Sequence, residues 1–125
     1  AILKLYPGIS QTIVEAVLNT PNLKGLIMET FGTGNASTDK WFIDLLDTKV
    51  KEGLFIVNTT QCISGSVDQG RYETSTAFNE IGIIPADDMT TEAALTKLMF
   101  ILANVEDKEE QIKAFQENLR GEKHA

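Results

Sequence analysis

Residues 25–35, Gly25-Leu-Ile-Met-Glu-Thr-Phe-Gly-Thr-Gly-Asn35, decide the fold. An apolar run breaks into a Gly-Thr-Gly turn and ends on an amide just before a helical pattern, as a short buried strand does when it hands its chain to a strand-to-helix corner. Gly32 and Gly34 let the backbone adopt positive φ or approach another group closely, which a side chain would obstruct. Parallel α/β sheets place their binding crevices at such corners, beyond the carboxyl ends of the strands. The search for function therefore starts at Asn35.

Ahead of this stretch, Ile2 to Tyr6 reads as a first strand and Pro7-Gly8 as a turn. Ser10 is the expected N-cap of a helix, with Ile9 and Val14 placed as a staple across it. Ile13, Val14, Val17 and Leu18 share the face of that helix, which stops around Pro21, and the next strand is expected over Leu23 to Met28. Beyond Asn35, the cap formers Ala36-Ser-Thr-Asp39 lead into a helix carrying Trp41, Phe42, Leu45, Leu46 and Val50, all read as core. Gly53 ends it, and Leu54 to Val57 forms a third strand.

From Asn58 to Arg71 the pattern loses its period, which predicts a long loop of the kind usually kept for function. Thr74 to Glu80 reads as a short helix and Ile81 to Ile84 as a brief fourth strand. Asp87, Asp88 and Thr90 open a long helix through about Ala103, its apolar face made by Ala94, Leu95, Leu98, Ile101 and Leu102; Glu106 to Leu119 is the last helix. Strands alternating with helices predict an α/β three-layer sandwich, with a small, mostly parallel sheet of about four strands and helices on both faces, flavodoxin-like or Rossmann-like.

The totals narrow the function. A chain of 125 residues, 42% apolar, is one domain with a single core. A formal charge of -7 without clustered Lys or Arg argues against nucleic acid and anionic membrane as partners. The lone cysteine, Cys62, suits a reducing compartment, and with His124 as the single histidine a His-based triad or metal site is not expected within this chain. No apolar run has the ~20 residues of a membrane helix. Ala1 leads straight into the first strand without slack, which suggests a domain cut from a longer protein.

The glycine turn lacks the third glycine of a dinucleotide fingerprint, since Ser37 stands there, and no Gly-Lys-Ser or Gly-Lys-Thr follows. What remains is a connecting turn, or a turn whose amides and Asn35 side chain hold a small polar ligand. Asn58-Thr-Thr-Gln-Cys62 is the denser polar cluster. It leaves a parallel strand as Asn35 does, so both should face one side of the sheet and line one pocket; the blander alternative is that these side chains only satisfy local backbone groups. Cys62 has no cation or histidine to make it a nucleophile. Asp87-Asp88 is better placed to cap a helix than to accept a phosphoryl group.

The residues 25–35, Val57-Asn-Thr-Thr-Gln-Cys-Ile-Ser-Gly65, Ala86-Asp-Asp-Met-Thr-Thr-Glu-Ala-Ala-Leu-Thr-Lys-Leu98 and Asn118-Leu-Arg-Gly-Glu122 together resemble the C-terminal domain of the type I, cytoplasmic bacterial L-asparaginases, in order and over nearly the whole chain. The resemblance implies a two-domain enzyme that hydrolyses L-asparagine to L-aspartate and ammonia without a cofactor. Its threonine nucleophiles lie in an N-terminal catalytic domain, within motifs like Thr-Gly-Gly-Thr and His-Gly-Thr-Asp-Thr that do not occur here. No catalytic residue is therefore expected in this chain, and alone it should be inactive.

Family members form homodimers or dimers of dimers, and Asn35 matches an asparagine that borders the neighbouring subunit's active site in the related type II enzymes. Some type I members bind a second asparagine as an activator; Thr60, Gln61 and Cys62 match that effector segment. Glu29 stands where such members carry an arginine for the effector's carboxylate. An anion in place of a bidentate cation should repel that carboxylate. Two other readings use the same residues: a stand-alone small-ligand sensing or binding module of this fold, and a dimerisation domain whose loops touch no ligand.

Overall fold

The computed structural model describes residues 1–6, 8–30, 39–60, 77–86 and 89–117. Its central strand, β2 (Gly25–Thr30), is buried on both faces: Leu26, Ile27 and Met28 are each 0% exposed. An unbroken apolar run rather than an alternating one is what a doubly covered parallel strand requires. β1 (Ile2–Lys4) and β3 (Phe55–Thr60) flank it, and β4 (Ile84–Pro85) pairs with β3. All three pairings are parallel, and the strands run in the order β1-β2-β3-β4.

One apolar cluster lies on each side of this sheet. Leu3, Leu26, Met28 and Ile56 meet Val14 and Leu18 of α1 (Gln11–Leu18) and Phe42 and Leu46 of α2 (Lys40–Lys51). Ile27, Phe55 and Val57 meet Ala94, Leu98 and Ile101 of α3 (Thr91–Asn104) and Phe115 of α4 (Lys108–Gln116). These are the three layers that the alternation of elements predicts. Because the strands are laid down in sequential order, α1 and α2 fall on one face, and the chain crosses to the other only after β4.

Local chemistry fixes the helix ends. Ser10 caps α1 through its hydroxyl, which accepts from the Ile13 amide, and Thr90 and Asp107 do the same for α3 and α4 with the amides of Ala93 and Glu110. The α3 cap is therefore Thr90; Asp87 and Asp88 lie outside the described residues. Gly53 ends α2 at φ +106°, a conformation that side chains oppose, and the Leu54 amide then returns to the Lys49 carbonyl. α4 is held to the sheet by its aromatic end. The Phe115 ring lies 5.9 Å from that of Phe55, with Lys97 and Lys108 over the two rings at 5.4 Å and 4.9 Å. Burial pushes the Lys108 ammonium below its ordinary pKa, and its Nζ donates to the Gly53 carbonyl at 3.1 Å.

Several boundaries differ from the sequence reading. β2 begins at Gly25 rather than Leu23, and β3 runs on through Asn58, Thr59 and Thr60, because the backbone stays in register with β2, and at Asn58 bonds to Ala86 beyond β4, whatever the polarity of the side chains. Ile81 closes a helical segment at 77–81 instead of opening the fourth strand: Gly82 at φ +94° breaks the helix, and the Ile83 amide bonds to the Phe78 carbonyl. Ile13 is 47% exposed, so Val14 and Leu18 carry the buried face of α1.

Gly25 sets how closely α3 lies on the sheet. A Cβ at this position would meet Leu102 Cδ1 at 2.7 Å and Leu98 Cδ2 at 3.0 Å. Gly25→Ala is expected to cost about 1–3 kcal/mol by overpacking, and Leu98→Ala about 2–5 kcal/mol by leaving a cavity between α3 and the sheet. Urea denaturation checks both. Wild-type midpoints in Leu98→Ala would show that this side chain does not carry the second core.

Candidate functional site

The six-residue register of β2 on β3 builds the rim. Glu29 stands beside Thr59 and Thr30 beside Thr60, so both strands end level, on adjacent tracks ~4.8 Å apart. Thr30 and Thr60, the last described residues ahead of 31–38 and 61–76, are therefore neighbours at the carboxyl edge of the sheet. Asn35, Gln61 and Cys62 themselves lie outside the described residues. Glu29 is half-buried at the end of β2, and Thr60 is the last residue of β3 rather than part of a loop.

Hydroxyls knit this edge together. Thr30 Oγ1 donates to the Thr59 carbonyl at 3.2 Å. Thr59, 2% exposed, has its Oγ1 at 3.2 Å from Thr91 Oγ1 and donates to the Met28 carbonyl over a longer 3.4 Å. This ties the first turn of α3 to the end of β3. The Asn58 carbonyl accepts from the Ala86 amide at 2.9 Å, which fixes β4, while Asn58 Oδ1 is buried and takes no hydrogen bond from the described residues.

Sequence reasoning picked out Asn58, Thr59 and Thr60 as a polar cluster, but missed Thr30 and Thr91. The signal for both is their position, once the register is known: each borders the Thr59 backbone or hydroxyl. The hydroxyl of Thr59 is engaged by a carbonyl and another hydroxyl, partners that hold it in place without activating it as a nucleophile. Among the described residues no His, Cys, Asp and Glu side chains gather to hold a metal, and no helix is long and apolar enough to cross a membrane. A cleft of about 250 Å³ lined by Asn19, Asn22, Lys24, Lys49 and Glu52 lies at the opposite, amino edge of β2 and β3. Its Lys49 is paired with Glu52 at 3.3 Å, and it takes nothing from the rim.

The described residues thus form an all-parallel α/β unit whose carboxyl edge is tied by the hydroxyls of Thr30, Thr59 and Thr91. Comparison with known proteins names the family. The Glutaminase/Asparaginase C-terminal domain family matches residues 1–115, and the chain belongs to it. The chain is similar to L-asparaginase 1 of Escherichia coli K12, 43% identical over 121 residues, covering 97% of this chain and 36% of that protein. It is also 39% identical, over 97% of its length, to a component of the glutamyl-tRNA(Gln) amidotransferase of Metallosphaera sedula, of which it covers 27%. The crystal structure of L-asparaginase I from Vibrio cholerae superposes with a TM-score of 0.84 at 36% identity, covering the whole of this chain and 37% of that one. The chain thus spans about a third of the length of the asparaginases it matches.

The rim network is tested by a mutant cycle. Thr59→Val keeps the volume and removes the hydroxyl, so a loss of about 1–2 kcal/mol is expected. Thr91→Val should then cost less in that background than in the wild type. Strict additivity in chemical denaturation would show that the two hydroxyls are not coupled.

Proposed function

We propose that the full-length protein is a cytoplasmic L-asparaginase, which adds water across the side-chain amide of L-asparagine, breaks the C–N bond and releases L-aspartate and ammonia. This chain serves as its C-terminal domain, and the reacting threonines belong to an N-terminal catalytic domain. The observation that carries this reading is the match along 97% of the chain, at 43% identity, to an L-asparaginase. The level ends of β2 and β3 support the placement of Asn35 at the border of an active site completed by a second subunit, in a homodimer or dimer of dimers. The lone cysteine suits a reducing cytoplasm.

The same rim bears on regulation. Glu29, with Thr60, Gln61 and Cys62 on the adjoining strand and segment, occupies the position of an effector pocket. A carboxylate there disfavours an α-carboxylate ligand, because like charges at close range oppose each other. Activation by a second asparagine in the manner of the arginine-bearing members is therefore not expected, and turnover should follow asparagine concentration hyperbolically.

Ammonia release from L-asparagine by the full-length protein checks the activity. No release under conditions that serve the E. coli relative would favour a small-ligand binding module of the same fold. Asn35→Ala is expected to lower kcat/KM about tenfold or more while leaving the melting temperature within a few degrees, since a turn amide carries little of the core. Unchanged kinetics would remove Asn35 from the site, and a sigmoidal saturation curve would restore the effector.

A further inference from the structure

The second face of the sheet is incompletely covered. α3 packs on β2 and β3, and α4 joins it over β3 through Phe55 and Phe115. Among the described residues, no helix covers β1 on this side. Leu3 and Leu5 point into the first cluster, so alternation turns Ile2, Lys4 and Tyr6 to the second face, where Ile2 is 46% and Tyr6 47% exposed. The register sets Ile2 beside Ile27, which belongs to the cluster under Leu98. Across β2, the flank of α3 toward β1 carries half-buried Leu95 and Leu102, with Met99 63% exposed.

Single exposed apolar side chains are ordinary, but these form a trough: a bare strand for its floor and a helix flank for one wall. Helices pack 8–10 Å apart and strands ~4.8 Å, so one further element beside α3 would lie over β1 and complete the layer.

We infer that this trough is the seat of the preceding domain of the same chain, docked by apolar side chains on Ile2, Tyr6, Leu95, Met99 and Leu102, with Lys4 available to an acidic group among them. The inference rests on the reading of the chain as the C-terminal domain of a longer enzyme. Two observations select this occupant. The family is a C-terminal domain, and about two-thirds of the length of its asparaginase relatives lies outside the matched segment. Ala1 also lies at the lip of the trough: its nitrogen is 3.3 Å from the Gly25 carbonyl and its carbonyl accepts from the Ile27 amide at 2.9 Å, while Leu102 stands over Gly25.

The chain's three methionines supply an internal probe. Met28 and Met89 are 0% and 5% exposed, against 63% for Met99. In the full-length protein treated with hydrogen peroxide, sulfoxide formation is followed by peptide mass spectrometry. Met99 is expected to oxidise within about threefold of Met28 and Met89, whereas a rate about tenfold or more above theirs overturns the docking. A benzophenone amino acid at position 99 then identifies the cover. Cross-linking within one chain to a peptide of the preceding domain is the expected result; a product joining two chains, or none, overturns it. Asparagine hydrolysis by the same preparation separates the two readings. An active enzyme with a reactive Met99 loses only the docking, and an inactive protein with a protected Met99 loses only the activity.

Discussion

Parallel pairing of β2 with β3, six residues in register from Gly25↔Phe55 to Thr30↔Thr60, is the constraint on which the other features depend. Parallel neighbours cannot be joined by a tight turn, so α2 must carry the chain back over the sheet, and its Phe42 and Leu46 close the first core as it does so. The same pairing buries β2 on both faces, which demands a second layer of helices. It also brings both strands to one edge at one level. Fold, core and rim thus follow from one set of backbone hydrogen bonds.

The fold was largely legible because its signals are local. Apolar period, Ser10 as a cap and Gly53 as a stop all act within a few residues, and each appears in the structure where the pattern places it. The errors fall where backbone pairing overrides side-chain character. Asn58, Thr59 and Thr60 look like loop residues, yet they stay in register with β2, and the Asn58 carbonyl accepts from the Ala86 amide on the other side, so the strand continues. The brief β4 was misplaced for a similar reason: Ile81 has a strand former's side chain but belongs to a helical segment that Gly82 ends. The rim was half legible. Polar residues after an apolar strand mark an edge, but the coupling of Thr59 to Thr30 and Thr91 depends on a register that no single segment encodes.

Sequential strand order has a functional side. Doubly wound sheets form their crevice where consecutive crossovers go to opposite faces, and a sheet ordered β1-β2-β3-β4 has no such point among its own strands. Among the described residues its carboxyl edge presents the level ends of β2 and β3 and their hydroxyls. The same order leaves β1 as an edge strand whose second face α3 does not reach.

The chemistry of the rim agrees with a structural role. A threonine that attacks a carbonyl needs its hydroxyl proton taken by a base, and a hydroxyl already committed to carbonyl and hydroxyl partners is held rather than activated. Thr59 has both partners, and the Thr30 hydroxyl is likewise held by the Thr59 carbonyl, to which it donates. Their hydrogen bonds spend the polarity of the edge on fixing β3 against β2 and α3. The edge formed by the described residues is thereby made stiff, because each of these hydroxyls ties one backbone segment to another.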